Sequence, residues 1–140
     1  MSSDEPTMIG KGSLESLSEF RWKLRRFLRF AEDAARGAGI TVLQYQLMLH
    51  TQGFPDRDWA TVGELAERLQ AQHNGVAALV TRCEEAGLVR RRHSKEDRRT
   101  VEVHLLAKGR RLLEALATQH REQLRDLSEV LQVPDDDKGA

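Results

Sequence analysis

Residues 61–106 read TVGELAERLQAQHNGVAALVTRCEEAGLVRRRHSKEDRRTVEVHLL, and the change of period within this stretch decides the fold. Thr61 and Glu64 have the spacing of a capping box, in which each side chain satisfies an orphan backbone N–H at a helix start. They open a short helix, Val62 to Leu69, with Leu65, Ala66 and Leu69 facing inward. A brief turn follows, and a second helix runs from about His73 to Ala86. Its Val76, Leu79, Val80 and Cys83 fall at i, i+3, i+4 and i+7, which makes one apolar face, and Gly87 is placed to end it. Two short helices joined by a tight turn, the second polar on its outer side, form a helix-turn-helix. The period then drops to two. Leu88 to His93 is one strand, and Thr100 to Leu105 is a clearer one, with Val101, Val103 and Leu105 alternating with Glu102 and His104. The charged run from Ser94 to Arg99 joins them into a β-hairpin, and a hairpin directly after a helix-turn-helix is a wing.

Working outward, Thr41 and Gln44 form another capping box. The helix it opens turns Leu43, Leu47 and Met48 inward, and Gly53, Pro55 and Asp56 break the chain after it. A longer helix over 14–36 places Leu17, Phe20, Leu24, Phe27, Leu28 and Ala31 on one stripe, and Gly37 and Gly39 end it. On the far side, one long helix or two run from Lys108 to about Leu131. There Leu113, Leu116, His120, Leu124, Leu127 and Leu131 follow one another at spacings of three or four, close to a heptad seam. Such a stripe has no neighbour left in the chain except the first helix, so it needs a partner. Leu17, Phe20 and Leu24 with Leu113, Leu116, Leu124 and Leu127 are therefore the expected dimerisation residues. The expected fold is mainly α with a small β-hairpin wing: a winged helix-turn-helix over 41–106 between N- and C-terminal dimerisation helices over 14–36 and 108–131. Residues 1–13 are expected to be a disordered lead-in, 14–131 a single domain and 132–140 a tail.

Length and composition fit this. A chain of 140 residues suits one domain with helical extensions. Basic and acidic residues balance at 22 each, so the distribution of charge carries the information. From Arg82 to Arg111 there are ten Lys or Arg against five Asp or Glu, a local positive excess on the half of the chain that holds the wing. The single cysteine, Cys83, forms no intramolecular disulfide, which fits a reducing compartment. On the apolar face of its helix, Cys83 reads as a core residue rather than a redox sensor. No apolar run approaches the roughly 20 residues that span a bilayer, and the N-terminus lacks the apolar core of a signal peptide, so a cytoplasmic protein is expected. The five histidines make no metal-binding pair, and neither a structural metal nor a cofactor is expected. With no Gly-rich phosphate loop and no nucleophile motif, the chain does not read as an enzyme.

The order of elements resembles the MarR family of bacterial winged helix-turn-helix regulators. The best local match is Asp97-Arg98-Arg99, then Val101-x-Val103-x-Leu105, then Lys108-Gly109-Arg110, which is similar to the family's wing turn, alternating strand and helix start. Glu84-x-x-Gly87-Leu88-Val89 is similar to the family's exit from its recognition helix, and the whole resemblance covers about 14–131. Leu106 stands where the family commonly has a capping Thr or Ser, and Gln72-His73-Asn74-Gly75 replaces small hydroxyl residues at the recognition-helix start. What the resemblance implies is a homodimer that binds double-stranded DNA at a pseudo-palindromic operator, most often as a repressor. It also implies release by a small aromatic or anionic effector, bound where the dimer region meets the DNA-binding lobe. Trp22, Arg25 and Tyr45 lie there by rough position, although each is more simply read as a core or surface residue.

A recognition helix enters the major groove N-terminus first. Its outward positions are His73, Asn74, Ala77, Ala78, Thr81 and Arg82. Asn74 is the best base reader, because its amide can pair bidentately with adenine. Gln72 can do the same or cap the helix, His73 can meet a base or a phosphate, and Ala77 or Ala78 permits close approach. The simpler reading makes all of these ordinary polar positions on a solvated helix. By resemblance, Arg99 reaches into the minor groove and Asp97 braces the turn that aims it. Arg98 and Lys95 add phosphate contacts, and the run Arg90 to Arg92 has at least one outward member that alternation does not identify. The competing class is a winged-helix protein-interaction module without sequence-specific DNA binding, since the fold does not dictate function. Weak, salt-independent DNA binding would favour it.

Overall fold

The computed structural model describes residues 8–130. Its elements are α1 (Lys11–Gly37), α2 (Val42–Gln52), β1 (Trp59–Thr61), α3 (Val62–Leu69), α4 (His73–Glu85), β2 (Val89–His93), β3 (Val101–Leu105), α5 (Ala107–Gln119) and α6 (Arg121–Val130). The chain divides into two compact units, a central one over Ala31–Gln119 and one formed by the flanking ends. The fold is mainly helical with a small antiparallel sheet, the winged helix-turn-helix expected from the sequence.

In the central unit both capping boxes form. Thr41 and Gln44 exchange side-chain and backbone hydrogen bonds at 3.0 and 3.1 Å, and Thr61 and Glu64 do so at 2.8 and 3.1 Å. The core gathers Leu47, Met48, Leu65, Val76, Leu79, Val80, Cys83, Val89, Val103 and Leu105. Leu43 departs from expectation and is exposed. The buried face of α2 is centred on Tyr45, Met48 and Thr51, at i, i+3 and i+6, which turns Leu43 outward. Thr51 is buried without cost because its hydroxyl donates to the Leu47 carbonyl at 2.7 Å.

The wing pairs Val89 with Leu105 through His93 with Val101, each strand one residue shorter than the sequence suggested. The sheet has a third strand, β1, in the order β1-β3-β2, with Trp59 opposite His104 and Thr61 opposite Glu102. Three residues are too few to show alternation, so β1 is silent in the sequence. Gly87 has φ +74°, a left-handed turn that L side chains resist, and it lets the chain leave α4 directly into β2.

At the flanking ends α1 begins at Lys11, within the expected lead-in. The Leu14 N–H donates to the Gly10 carbonyl at 3.2 Å, so the hydrogen-bonded ladder starts before the first apolar residue of the stripe. The C-terminal stretch is two helices, broken at His120. His120 is buried, with its ring edge-on to Phe30 (5.3 Å between centroids) and tilted against Phe27 (6.1 Å). It packs like an aromatic residue rather than continuing a solvent-facing seam. Leu131 and the expected tail, 132–140, lie outside the described residues, as do residues 1–7.

Candidate nucleic-acid interface

The helix α4 sits on the core through Val76, Leu79, Val80 and Cys83, the four residues expected. That fixes the opposite side. Gln72, His73, Asn74, Ala78, Thr81 and Arg82 are exposed, and Ala77 is half-buried. Gln72 occupies the N-cap position but makes no side-chain capping bond, so the α4 N-terminus keeps free N–H groups and Gln72 keeps a free amide. Gly75 is exposed in the first turn, and a methyl group there would meet nothing within 4 Å. Among the described residues no contact requires this glycine. The turn before α4 rests on Gln70, a non-glycine residue at φ +51° whose side-chain amide donates to the Glu67 carbonyl at 2.7 Å.

The hairpin tip is organised around Asp97. One carboxylate oxygen accepts from the Arg99 N–H at 3.0 Å and the other from the Thr100 hydroxyl at 3.3 Å. The Ser94 hydroxyl accepts from the Glu96 and Asp97 N–H groups, and the Thr100 carbonyl closes the loop onto the Ser94 N–H at 3.0 Å. An Asp that bonds its own backbone two residues on holds a tight turn without glycine. Lys95, Arg98 and Arg99 project from this turn, exposed and with no ion pair among the described residues. Lys95 and Arg98, with His93 and Ser94, line an open cleft. Of the basic run, Arg90 and Arg92 face solvent, and Arg91 turns inward onto α4 and pairs with Glu84.

The base of the hairpin is clamped by Lys108-Gly109-Arg110. Lys108 Nζ donates to the Ala86 carbonyl, and an Arg110 guanidinium nitrogen donates to the Leu105 carbonyl, both at 2.8 Å. A Cβ on Gly109 would lie 2.2 Å from the Leu88 carbonyl oxygen, so only glycine lets α5 approach the start of β2 this closely.

A second brace carries no recognisable motif in the sequence. The Arg57 guanidinium lies over the rings of both Trp59 and Phe54, at 4.0 and 4.2 Å, and pairs with Glu64. Trp59 in turn stacks on His104, 5.9 Å between centroids. Burial pushes the Glu64 carboxyl up, but the Thr61 N–H and the Arg57 guanidinium outweigh it and hold the group below its ordinary value. The brace fixes the start of α3. Cys83 is fully buried, and burial pushes its thiol up to about 11 against a smaller opposing pull from Arg82. At neutral pH it is a protonated core residue.

Two of the expected dimerisation residues sit elsewhere. Leu113 and Leu116 belong to the core of the central unit, packed within one chain, because α5 packs against α2 and β3. Leu17 and Leu124 are about half exposed, and Phe20, Leu24 and Leu127 are partly so. Tyr45 is a core residue, whereas Trp22 and Arg25 are exposed on α1.

Residues 38–100 match the model of the MarR family. This stretch holds α2 through the hairpin tip, which are the elements just described. An uncharacterized HTH-type transcriptional regulator of Bacillus subtilis, YsmB, is 35% identical over 69 residues, which are 49% of this chain and 47% of that protein. The chain thus matches about half the length of its curated relatives. Among solved structures, AbsC, a MarR family transcriptional regulator from Streptomyces coelicolor, superposes with a TM-score of 0.71 at 20% identity, over 96% of this chain and 90% of that one. Sco3205, a MarR family transcriptional regulator from the same organism solved in complex with DNA, gives a TM-score of 0.70 at 22% identity, over 98% and 86%. At these identities the structural likeness establishes the MarR-type fold. Among the described residues no helix is long and apolar enough to cross a membrane.

Proposed function

We propose that this protein is a sequence-specific DNA-binding transcriptional regulator that acts as a homodimer on a pseudo-palindromic operator. The observation that carries the reading is the pairing of two exposed surfaces: the polar side of α4, with His73, Asn74 and Arg82, and the Asp97-braced tip that presents Lys95, Arg98 and Arg99. The first has the donors and acceptors that read base edges, with Gln72 and Ala78 beside them. The second has cations without an ion pair among the described residues, suited to phosphates and to the minor groove. The DNA complex of the structurally similar Sco3205 supports the same reading. Exposed Leu17 and Leu124, with Phe20, Leu24 and Leu127 alongside, support a two-fold dimer through the flanking helices. A dimer would meet half-sites about one helical turn apart and repress by covering a promoter. A small aromatic or anionic effector would release it by favouring a lobe spacing that mismatches the groove repeat.

The test is selection from a pool of random duplex DNA, repeated at two salt concentrations. The expected result is an enriched inverted repeat whose affinity falls steeply as salt rises. A chain that enriches no sequence and binds duplex weakly and independently of salt would instead be a protein-interaction module.

A further inference from the structure

Arg91 is turned away from solvent while its neighbours Arg90 and Arg92 are not. Its backbone N–H donates to Glu84 Oε2 at 3.1 Å. Its guanidinium pairs with Glu84 Oε1 and also donates to the Ala77 carbonyl at 2.6 Å. Ala77 and Glu84 are seven residues apart, about two turns of α4. One side chain in the middle of the wing's first strand therefore grips the recognition helix at two heights. A guanidinium suits this because its planar fork presents donors in fixed, different directions, whereas an ammonium offers a single swivelling point charge.

The rest of the wing makes the grip consequential. On the β3 side the hairpin is held by β1 and by the Lys108–Arg110 clamp. On the β2 side the covalent link to α4 is the short turn through Gly87, at φ +74°. Arg91 pairs with Val103 in the sheet, two residue pairs before the hairpin's last pair, His93 with Val101. Everything beyond it, including Lys95, Arg98 and Arg99, is a lever arm of roughly 13 Å at the rise of a β-strand.

We propose that Arg91 is the positioning residue that fixes the angle of the wing on the recognition helix. It lets the hairpin tip and the α4 surface engage one duplex at the same time. The inference rests on the proposed DNA-binding reading. It assigns Arg91 no contact with DNA: it acts through Arg99 and its neighbours.

The test is a double-mutant cycle on the selected operator. In the wild-type background, Arg99→Ala should weaken binding by roughly 5- to 150-fold. In an Arg91→Met background, folded by circular dichroism, the same change should cost less than about twofold, because the tip is no longer aimed. An equal cost of Arg99→Ala in both backgrounds would overturn the proposal. Glu84→Gln, which keeps one of the two oxygens that accept from Arg91 and replaces the other by an amide donor, should lower the cost of Arg99→Ala to a value between the two backgrounds, and a full wild-type cost would count against the proposal. If Arg91→Met does not fold, Glu84→Ala removes the outer grip and takes its place in the cycle. A second readout needs no DNA. Nitroxides at Ala78→Cys and Lys95→Cys should give a narrow distance distribution that broadens with Arg91→Met, and an unchanged distribution would overturn the proposal. A wild-type protein that binds no duplex would remove the DNA-binding reading alone, leaving the nitroxide distances to decide what Arg91 does.

Discussion

The central unit and the flanking ends treat their apolar residues in opposite ways. In Ala31–Gln119 every element contributes to a closed core, and Leu47, Leu65, Val80, Leu88, Val103 and Leu116 are at most 1% exposed. In the flanking ends Leu14, Leu17, Trp22, Leu28 and Leu124 stay between 48% and 57% exposed. Both regions carry apolar residues at helical spacing. The difference teaches that a periodic stripe records the need for burial and not what satisfies it: in one region the chain does so itself, and in the other the stripe stays half exposed.

The largest effect should come from testing the closed side of this contrast. Leu116→Ala should lower stability by about 2–5 kcal/mol in denaturant melts, as a buried leucine truncation does. Were Leu116 instead a dimer residue, the dissociated chain would be as stable as wild type. The open side should respond differently. Leu17→Asp should leave the circular dichroism of the dilute chain unchanged and weaken self-association roughly tenfold or more by sedimentation, and unaltered association would move the interface elsewhere. Gly109→Ala sharpens the contrast from within the core. The added methyl has no room against Leu88, so a loss of about 1–3 kcal/mol in thermal melts is expected, and a neutral result would mean that α5 can withdraw from the wing.

The smallest effect concerns Glu64. Its carboxyl is held below the ordinary value in the fold, so the stability it adds is present above the unfolded carboxylate pKa, about 4.3, and is lost as pH falls through the lower, folded value. Glu64→Gln should therefore be less stable at neutral pH, by on the order of 1 kcal/mol. That gap should begin to narrow as pH falls below about 4.3 and close only below the folded value, in melts across the acid range. A gap independent of pH would assign the whole effect to shape rather than charge.

Local signals in the sequence were legible, with the strand ends placed to within one residue. Both capping boxes, the inward face of α4, the hairpin and the turn-bracing Asp97 follow from neighbours within seven positions, which is the range over which helix and turn chemistry acts. Long-range partnerships were not. β1 pairs with a strand about 40 positions later, and its three residues carry no period of their own. Arg91 has the same letter as Arg90 and Arg92, and only the Ala77 carbonyl, fourteen positions earlier, distinguishes it. Leu113 and Leu116 continue the same spacing as Leu124 although their burial has a different source. On the candidate interface, the exposure of His73, Asn74 and Arg82 was readable because it is the complement of a readable apolar face. The stacking of Arg57 between two aromatic rings was not, because it joins a loop to a strand edge.

Gly75 and Gly109 show how differently one letter can respond to selection. In a library screened only for heat resistance, Gly75→Ala should rise, since the space around it is empty and alanine favours a helix by roughly 0.5–1 kcal/mol, whereas Gly109→Ala should vanish from the same library. Rescreening the survivors for operator binding would then measure what the bare backbone at position 75 is worth to the protein, a quantity that folding stability alone conceals.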